Sequence, residues 1–105
     1  MWAQLITMRL AEGREGELQE VMDGIEAAEQ AGSGLLHSFA LTEQGDPRQV
    51  HVLVVFESEE QARARENDPE RQEALAPIRE KMAEIFEGPP TFADLDVLVA
   101  NSYGA

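Results

Sequence analysis

Apolar positions along the chain fall into four segments of strand type and two of helical type. The strand-type segments are rich in apolar and β-branched residues, and we predict strands at 2–10, 35–42, 50–56 and 92–100. Two segments between them have helical spacing instead. The first, from about residue 14 to 30, has its apolar residues at Leu18, Val21, Met22, Ile25 and Ala28. The second has them at Leu75, Ile78, Met82, Ile85 and Phe86.

The second helical region contains two helix-start signals. Ser58-Glu59-Glu60-Gln61 is a capping box, in which the side chains of Ser58 and Gln61 can each satisfy a free backbone N–H group. Asp68 before Pro69 is a second start, with an N-cap residue preceding a proline at the first helical position. Pro77 lies inside the apolar stripe and is expected to kink or divide the helix, because proline lacks the N–H that an interior position uses.

The element order strand–helix–strand–strand–helix–strand predicts an α+β, ferredoxin-like βαββαβ fold. Its four-stranded antiparallel sheet would carry the helices on one face, within a single domain, 1–105. If water covered the other face, its strands should alternate apolar with polar residues. The segment 52–56 is apolar throughout, and Leu95, Val97, Leu98 and Val99 place apolar groups on both faces of the last strand. We therefore expect a homodimer through the sheet faces, rather than a monomer with an exposed apolar patch.

Charge and composition narrow the range of partners. The chain has 21 acidic and 8 basic residues and a formal net charge of −13, so it would repel nucleic acids and anionic membranes. It has no cysteine, which removes disulfides, thiolate nucleophiles and thiolate-bound metals, and agrees with a cytoplasmic protein. Its first residues resemble no signal peptide, and no apolar run is long enough to span a bilayer. We expect no membrane association.

Two stretches carry a resemblance to a known family. Phe56-Glu57-Ser58-Glu59-Glu60 followed by Asp68-Pro69 resembles the strand-to-helix segment of the antibiotic biosynthesis monooxygenase superfamily, and 8–13 with the acidic helix after it resembles that family's first strand and helix. The resemblance implies a dimeric α+β barrel. It does not imply one reaction, because the superfamily includes cofactor-free quinone-forming oxygenases, haem degraders and proteins without established activity.

Three positions bear on the haem-degrading members. Those members are known for an Asn on the first strand and for a Trp and a His in the second helical region, and the matching positions here hold Ile6, Arg65 and Leu75. No imidazole remains there to ligate iron, so haem degradation is not expected, and no cofactor is expected either. The anthrone-oxidising members are associated with Asn, Trp and Tyr in the cleft, whereas this chain has its Trp at residue 2 and its Tyr at residue 103. Isolated histidines beside scattered carboxylates do not predict a metal site.

Candidate site residues follow from the chemistry of a cofactor-free oxygenase. Such an enzyme needs a dry pocket, a base and donors that stabilise an anion. His37 is the candidate catalytic base, although the sequence favours a hydrogen-bonded histidine within the sheet; His51 is expected to face the dimer partner. Trp2 and Phe56 could stack a planar ligand, or belong to the core. Arg65 could bind a phenolate, or form a surface ion pair.

Two main functional hypotheses remain open on the sequence. The first is a cofactor-independent monooxygenase acting on a small aromatic or polyketide-type substrate in the helix–sheet cleft. The second is a non-catalytic dimeric module of the same fold that binds a small ligand or only assembles. An isomerase or cyclase on this scaffold is a third hypothesis. Only the resemblance favours the first hypothesis, since a fold by itself does not determine function.

Overall fold

The computed structural model describes residues 1–104. A short 3-10 turn, Glu15–Glu17, precedes the first helix. The remaining elements of this part of the chain are β1 (Trp2–Arg9), α1 (Leu18–Ala27), β2 (Leu35–Glu43), β3 (Asp46–Phe56), α2 (Glu59–Glu66), α3 (Pro69–Ile85) and β4 (Thr91–Asp96). The strands form one antiparallel sheet in the order β2-β3-β1-β4, which confirms the predicted ferredoxin-like fold.

Both predicted helix starts in the second helical region are confirmed. The Ser58 hydroxyl accepts a hydrogen bond from the Gln61 backbone N–H at the start of α2, and the Asp68 carboxylate accepts one from the Glu70 N–H at the start of α3. The prediction that Pro77 could divide the helix is wrong, because α3 runs through it from Pro69 to Ile85. Pro77 is exposed, so water can reach the Glu73 carbonyl that loses its partner.

The first helix is shorter than predicted at its amino end. Residues 15–17 form a 3-10 turn, and Arg14 before them makes no side-chain capping bond. Without a capping side chain the first N–H groups are left to water, which favours a tighter and less regular start. The helix then ends at Ala27, and the chain turns through Gly32 and Gly34, whose φ angles of 82° and 87° suit glycine.

The last strand ends four residues before its predicted end. Trp2 pairs with Asp96, and Val97 makes one further backbone bond to Met1. Strand β1 offers no partner residue beyond this point, so the extended ladder stops there. Leu98 and Val99 consequently lie outside the sheet and are 93% and 73% exposed. The prediction that they form part of the sheet is therefore wrong.

Alternation along the strands separates two faces of the sheet. Val54 and Phe56 point to the helices and pack in the core with Trp2 and Ala62, while Val50 packs with another group of buried residues around α1 and α3. Leu53 and Val55 take the opposite face, as the period of two requires. That face, which we call the helix-free face, exposes Phe39, Leu41 and Leu95 by 48%, 47% and 40%. The continuous apolar run 52–56 thus serves both sides.

Candidate ligand-binding cleft

A cavity of about 930 Å³ lies between the sheet and the helices. Strands β1 and β3 contribute alternate side chains to its floor because every second residue faces the helices. Helix α3 contributes a wall through residues spaced three and four apart, which share one face of a helix. The apolar part of its lining includes Trp2, Ile6, Val52, Leu75, Ile78 and Met82. Its volume and apolar walls are typical of small-molecule sites.

Three residues predicted from the sequence meet at one end of this cavity. The rings of Trp2 and Phe56 lie 6.1 Å apart, tilted by 48°, and both are buried. The guanidinium carbon of Arg65 lies 5.3 Å from the centre of the Phe56 ring, within cation–π range. The guanidinium carbon of Arg63 lies 5.0 Å from the centre of the Trp2 ring. Trp2, Phe56 and Arg65 therefore form one polar-edged aromatic corner.

Arg65 is already ion-paired in this corner. Its Nε and Nη2 atoms donate to one Glu29 oxygen at 2.9 and 2.6 Å, and the two side chains are only 12% and 24% exposed. Burial would raise the pKa of Glu29, but hydrogen bonds from Arg65 and Ser33 and the positive charges of Arg65 and Arg71 hold the pKa below its usual value. Glu29 is thus a stable carboxylate and a weak base at neutral pH.

His37 lies away from the cleft. The ladder between β2 and β3 is irregular between Leu35 and His37, so these two residues do not share a face as simple alternation would require. Leu35 packs towards the core, whereas His37 stacks on Phe39 of the helix-free face, with ring centres 6.1 Å apart and 20° between the planes. The structure therefore does not bring His37 together with Trp2, Phe56 and Arg65.

His51 also lies on the helix-free face, on the side expected from the sequence. Its Nδ1 atom lies 3.2 Å from the Thr7 hydroxyl, and its Nε2 atom lies 3.2 Å from a Glu43 carboxylate oxygen. These contacts give His51 a structural role within the sheet.

Two further arginines line the cavity and were not singled out in the sequence. Arg71 and Arg79 lie on α3, and Arg71 is four residues before Leu75. That spacing was available as a signal, since positions i and i+4 share one face of a helix. Burial first, and then the neighbouring charge of Arg65, lowers the pKa of Arg71. The Nε atom of Arg71 is buried and has no hydrogen-bond partner within residues 1–104.

The chemistry that this cleft can perform follows from its polar groups. Arginines and glutamates line it, and no histidine does among the described residues. Within residues 1–104, no group of three or more histidine or carboxylate side chains could hold a metal ion. None of the helices described is long and apolar enough to cross a membrane. The cleft can hold a planar apolar molecule, keep water from it and stabilise negative charge on it.

No known protein-family model matches the chain, and no curated protein sequence matches it either. Solved structures do. A Nitrosomonas europaea protein of unknown function is 21% identical, with a TM-score of 0.76 over 99% of this chain and 95% of that one. A protein from the same organism, proposed to be an antibiotic biosynthesis monooxygenase, is 13% identical, with a TM-score of 0.76 over 94% and 100%.

A third structure is similar at the same level. It is a mutant of MhuD with two manganese protoporphyrin IX molecules bound per active site, and it is 17% identical, with a TM-score of 0.78 over 98% of this chain and 100% of that one. Identities this low establish a shared backbone arrangement and leave the chemistry to the site residues. The chain therefore has the ferredoxin-like fold found in proteins of the antibiotic biosynthesis monooxygenase superfamily.

Proposed function

We propose that this chain is a member of the antibiotic biosynthesis monooxygenase superfamily that oxidises a small aromatic, polyketide-type substrate in the cleft without a cofactor. The observation that carries the proposal is the apolar cavity of about 930 Å³ with Trp2, Phe56 and Arg65 at one end. Planar rings fit between apolar walls, and Arg65 offers positive charge where a phenolate would lie. The resemblance in 56–60 and 68–69 supports the same choice.

The proposed reaction is the oxidation of an activated CH2 group between aromatic rings to a carbonyl. One oxygen atom of O2 enters the new C=O group, and the other leaves as water with the two hydrogens of the CH2. The four electrons that the carbon loses reduce O2, so no further reductant is needed. The cleft would hold the substrate as its phenolate, and Arg65 would stabilise the negative charge while the apolar walls exclude water.

A second candidate function is a non-catalytic module that binds the same class of ligand. It is favoured by the absence of histidine from the described cavity lining and by the ion pair that makes Glu29 a weak base. The catalytic role of His37 stays a prediction, and from the helix-free face His37 could act only on a ligand bound there. Cytoplasmic location also stays a prediction.

We propose that the protein works as a homodimer through the helix-free face. Leu53 pairs with Leu5 on one side and Phe39 on the other, and all three belong to this face. A second copy would bury the exposed Phe39, Leu41 and Leu95. Full burial of an exposed apolar side chain contributes roughly 1.5–3 kcal/mol, and each of these half-exposed side chains would contribute about half of that. The sheets would then lie back to back, with one cleft on each outer side.

Ligand binding is tested with a panel of hydroxylated anthrones, naphthols and quinones, by thermal shift and then by NMR chemical-shift perturbation. Ligand at about a hundred times its dissociation constant should stabilise the fold by roughly 2.7 kcal/mol. Ala40 is exposed at the cavity wall, so Ala40→Leu should fill part of the cavity and weaken binding. Ala76→Leu, exposed on α3 and outside the cavity lining, is the matched control. Failure of every compound to bind would overturn both candidate functions.

Catalysis is tested with the compounds that bind. An oxygen electrode and the absorbance of the quinone product should show one O2 consumed per carbonyl formed, at a rate above the protein-free oxidation. Binding without oxygen consumption would favour the non-catalytic module.

Incubated with the protein, haemin with a reductant should keep its Soret band, because Ile6, Arg65 and Leu75 all line the cavity and none of them can ligate iron. Loss of that band faster than in protein-free controls protected with catalase would contradict this expectation.

A further inference from the structure

The basic residues of this chain are divided between ion-paired and unpaired side chains. Within residues 1–104, six of the eight form ion pairs with carboxylates: Arg9, Arg14, Arg48, Arg63, Arg65 and Lys81. Arg71 and Arg79 form none in that range, although the chain has 21 acidic residues to offer. Both of these arginines line the cavity. Positive charge without a carboxylate partner is thus concentrated at the ligand site.

Arg71 is the more constrained of the two. Its Nε atom is buried without a hydrogen-bond partner in the described part of the chain, and an unmade bond at a buried donor costs about 1–3 kcal/mol. Native proteins leave few such donors unsatisfied. Burial and the charges of Arg65 and Arg79 lower the pKa of Arg71 although the nearby charges of Glu29 and Asp68 raise it, so a further negative charge would stabilise the guanidinium.

The surroundings of Arg71 suit the head of an amphipathic ligand. Arg71, Arg65 and Glu29 line both the main cavity and a smaller one of about 420 Å³. Further along the same face of α3 the lining becomes apolar, at Leu75 and Ile78. Arg79 follows Arg71 by two helical turns, about 12 Å along the axis, and adds positive charge towards the middle of the cavity.

We propose that Arg71, supported by Arg79, binds a carboxylate on the ligand, so that the substrate class is an aromatic carboxylic acid. This proposal rests on the proposed ligand cleft and specifies its occupant. The rings would lie against Phe56, Leu75 and Ile78, and the carboxylate would accept hydrogen bonds from the terminal nitrogens of the Arg71 guanidinium. A carboxylate suits a guanidinium because its two oxygens can each accept one N–H. The net charge of −13 disfavours non-specific binding of an anion to the rest of the surface.

The test compares two probes that differ in one group: anthraquinone-2-carboxylate and the neutral anthraquinone-2-carboxamide. Dissociation constants are measured by fluorescence or calorimetry at pH 7 for the wild type, Arg71→Gln and Lys81→Gln. Lys81→Gln is the matched control, because Lys81 lies on the same helix and loses the same charge but does not line the cavity. The wild type and Lys81→Gln should bind the acid at least about tenfold more tightly than the amide, because one charge-assisted hydrogen bond changes an affinity by about that factor or more.

Arg71→Gln should bind the acid and the amide with the same affinity. If Arg71→Gln does not fold, Arg79→Gln provides the second variant, and it should reduce the preference for the acid without removing it. Equal binding of acid and amide to the wild type, or a preference that survives in Arg71→Gln, would overturn the carboxylate proposal and leave the cleft intact. If the acid, the amide and every neutral phenol all fail to bind, the proposed ligand cleft itself would be overturned.

Discussion

Glu17 joins two parts of the molecule through its carboxylate. Arg14, just before α1, and Lys81, on α3, both donate to it. The hydrogen bond from Arg14, followed by the one from Lys81, lowers the pKa of Glu17 to about 2. A carboxyl group with a lowered pKa stabilises the fold above its unfolded pKa, and this stabilisation is lost as the pH falls through the folded pKa.

We therefore predict that the stability difference between the wild type and Glu17→Gln depends on pH. It should be largest above about pH 5 and should be mostly lost at pH 2, where about half of the Glu17 carboxyl groups are protonated in the wild type. Urea unfolding followed by circular dichroism at several pH values measures the difference. Glu12→Gln removes the same charge from an exposed carboxylate and is the control. A difference for Glu17→Gln that stays constant from pH 6 to pH 2 would refute the role of the ion pairs.

At the level of single residues, the sequence led to part of the cleft. The chemistry of a ligand site singled out Trp2, Phe56 and Arg65 in the sequence, and the structure brings them together at one end of the cavity. The facing of His37 could not be predicted, because the irregularity after Leu35 breaks the alternation that such a prediction relies on. Arg71 was missed since charged residues on helices are usually solvated, and only the folded sheet creates the cavity beside it.

Helix α1 lies close to α3 at Gly24. A methyl group added there would overlap the Cδ1 atom of Ile78 and lie 3.2 Å from its Cγ1 atom. We predict that Gly24→Ala destabilises the fold by up to about 2 kcal/mol, because overpacking costs about 1–3 kcal/mol and the gain in helix propensity offsets only about 1 kcal/mol of it. Ile78→Val removes the overlapping Cδ1 atom, so the double variant should be at least about 0.5 kcal/mol more stable than the two separate changes would sum to.

A double-mutant cycle by urea unfolding measures this coupling. Gly16→Ala is the control for the substitution itself, since nothing lies within 4 Å of the added methyl group. It should change stability little and should show no coupling with Ile78→Val. Strict additivity of Gly24→Ala and Ile78→Val would mean that the two helices separate freely to accept the methyl group.

At the level of elements, capping signals were sufficient for some boundaries and insufficient for others. Ser58 and Asp68 marked helix starts because each side chain satisfies a backbone N–H a few residues ahead, which is a local effect. The end of β4 was not predicted because a strand extends only as far as its neighbour offers residues to pair with. The pairing of Trp2 with Asp96 cannot be deduced from the local sequence pattern. Helix starts set by local side-chain capping could be predicted from the sequence, whereas a strand end set by pairing with a distant strand could not.

For the whole molecule, we predict a homodimer that one substitution separates. Leu53 lies at the centre of the helix-free face, between Leu5 and Phe39. Leu53→Glu would bury an unpaired charge in the interface at a cost of several kcal/mol, so the variant should be monomeric or fail to fold. Light scattering during size-exclusion chromatography at micromolar concentration gives the mass.

Ala76→Glu is the control for the dimer, because it adds the same charge on the exposed side of α3, across the molecule from the helix-free face. It should remain dimeric. The thermal midpoint of the wild type should also rise with protein concentration, as it does for any fold stabilised by association. A wild-type mass of one chain at micromolar concentration would contradict the dimer.

The position of β1 in the sheet also determines when the protein can fold. This strand is interior, between β3 and β4, and its register joins Trp2 to Phe56 on one side and to Asp96 on the other. A ribosome releases β1 before the other strands and β4 after them, so the sheet cannot close until β4 has been synthesised. Contacts so far apart in sequence slow folding, because a long loop must be closed before they form. Until then β1 has an unpaired edge, which makes the nascent chain a target for chaperones that hold extended apolar segments.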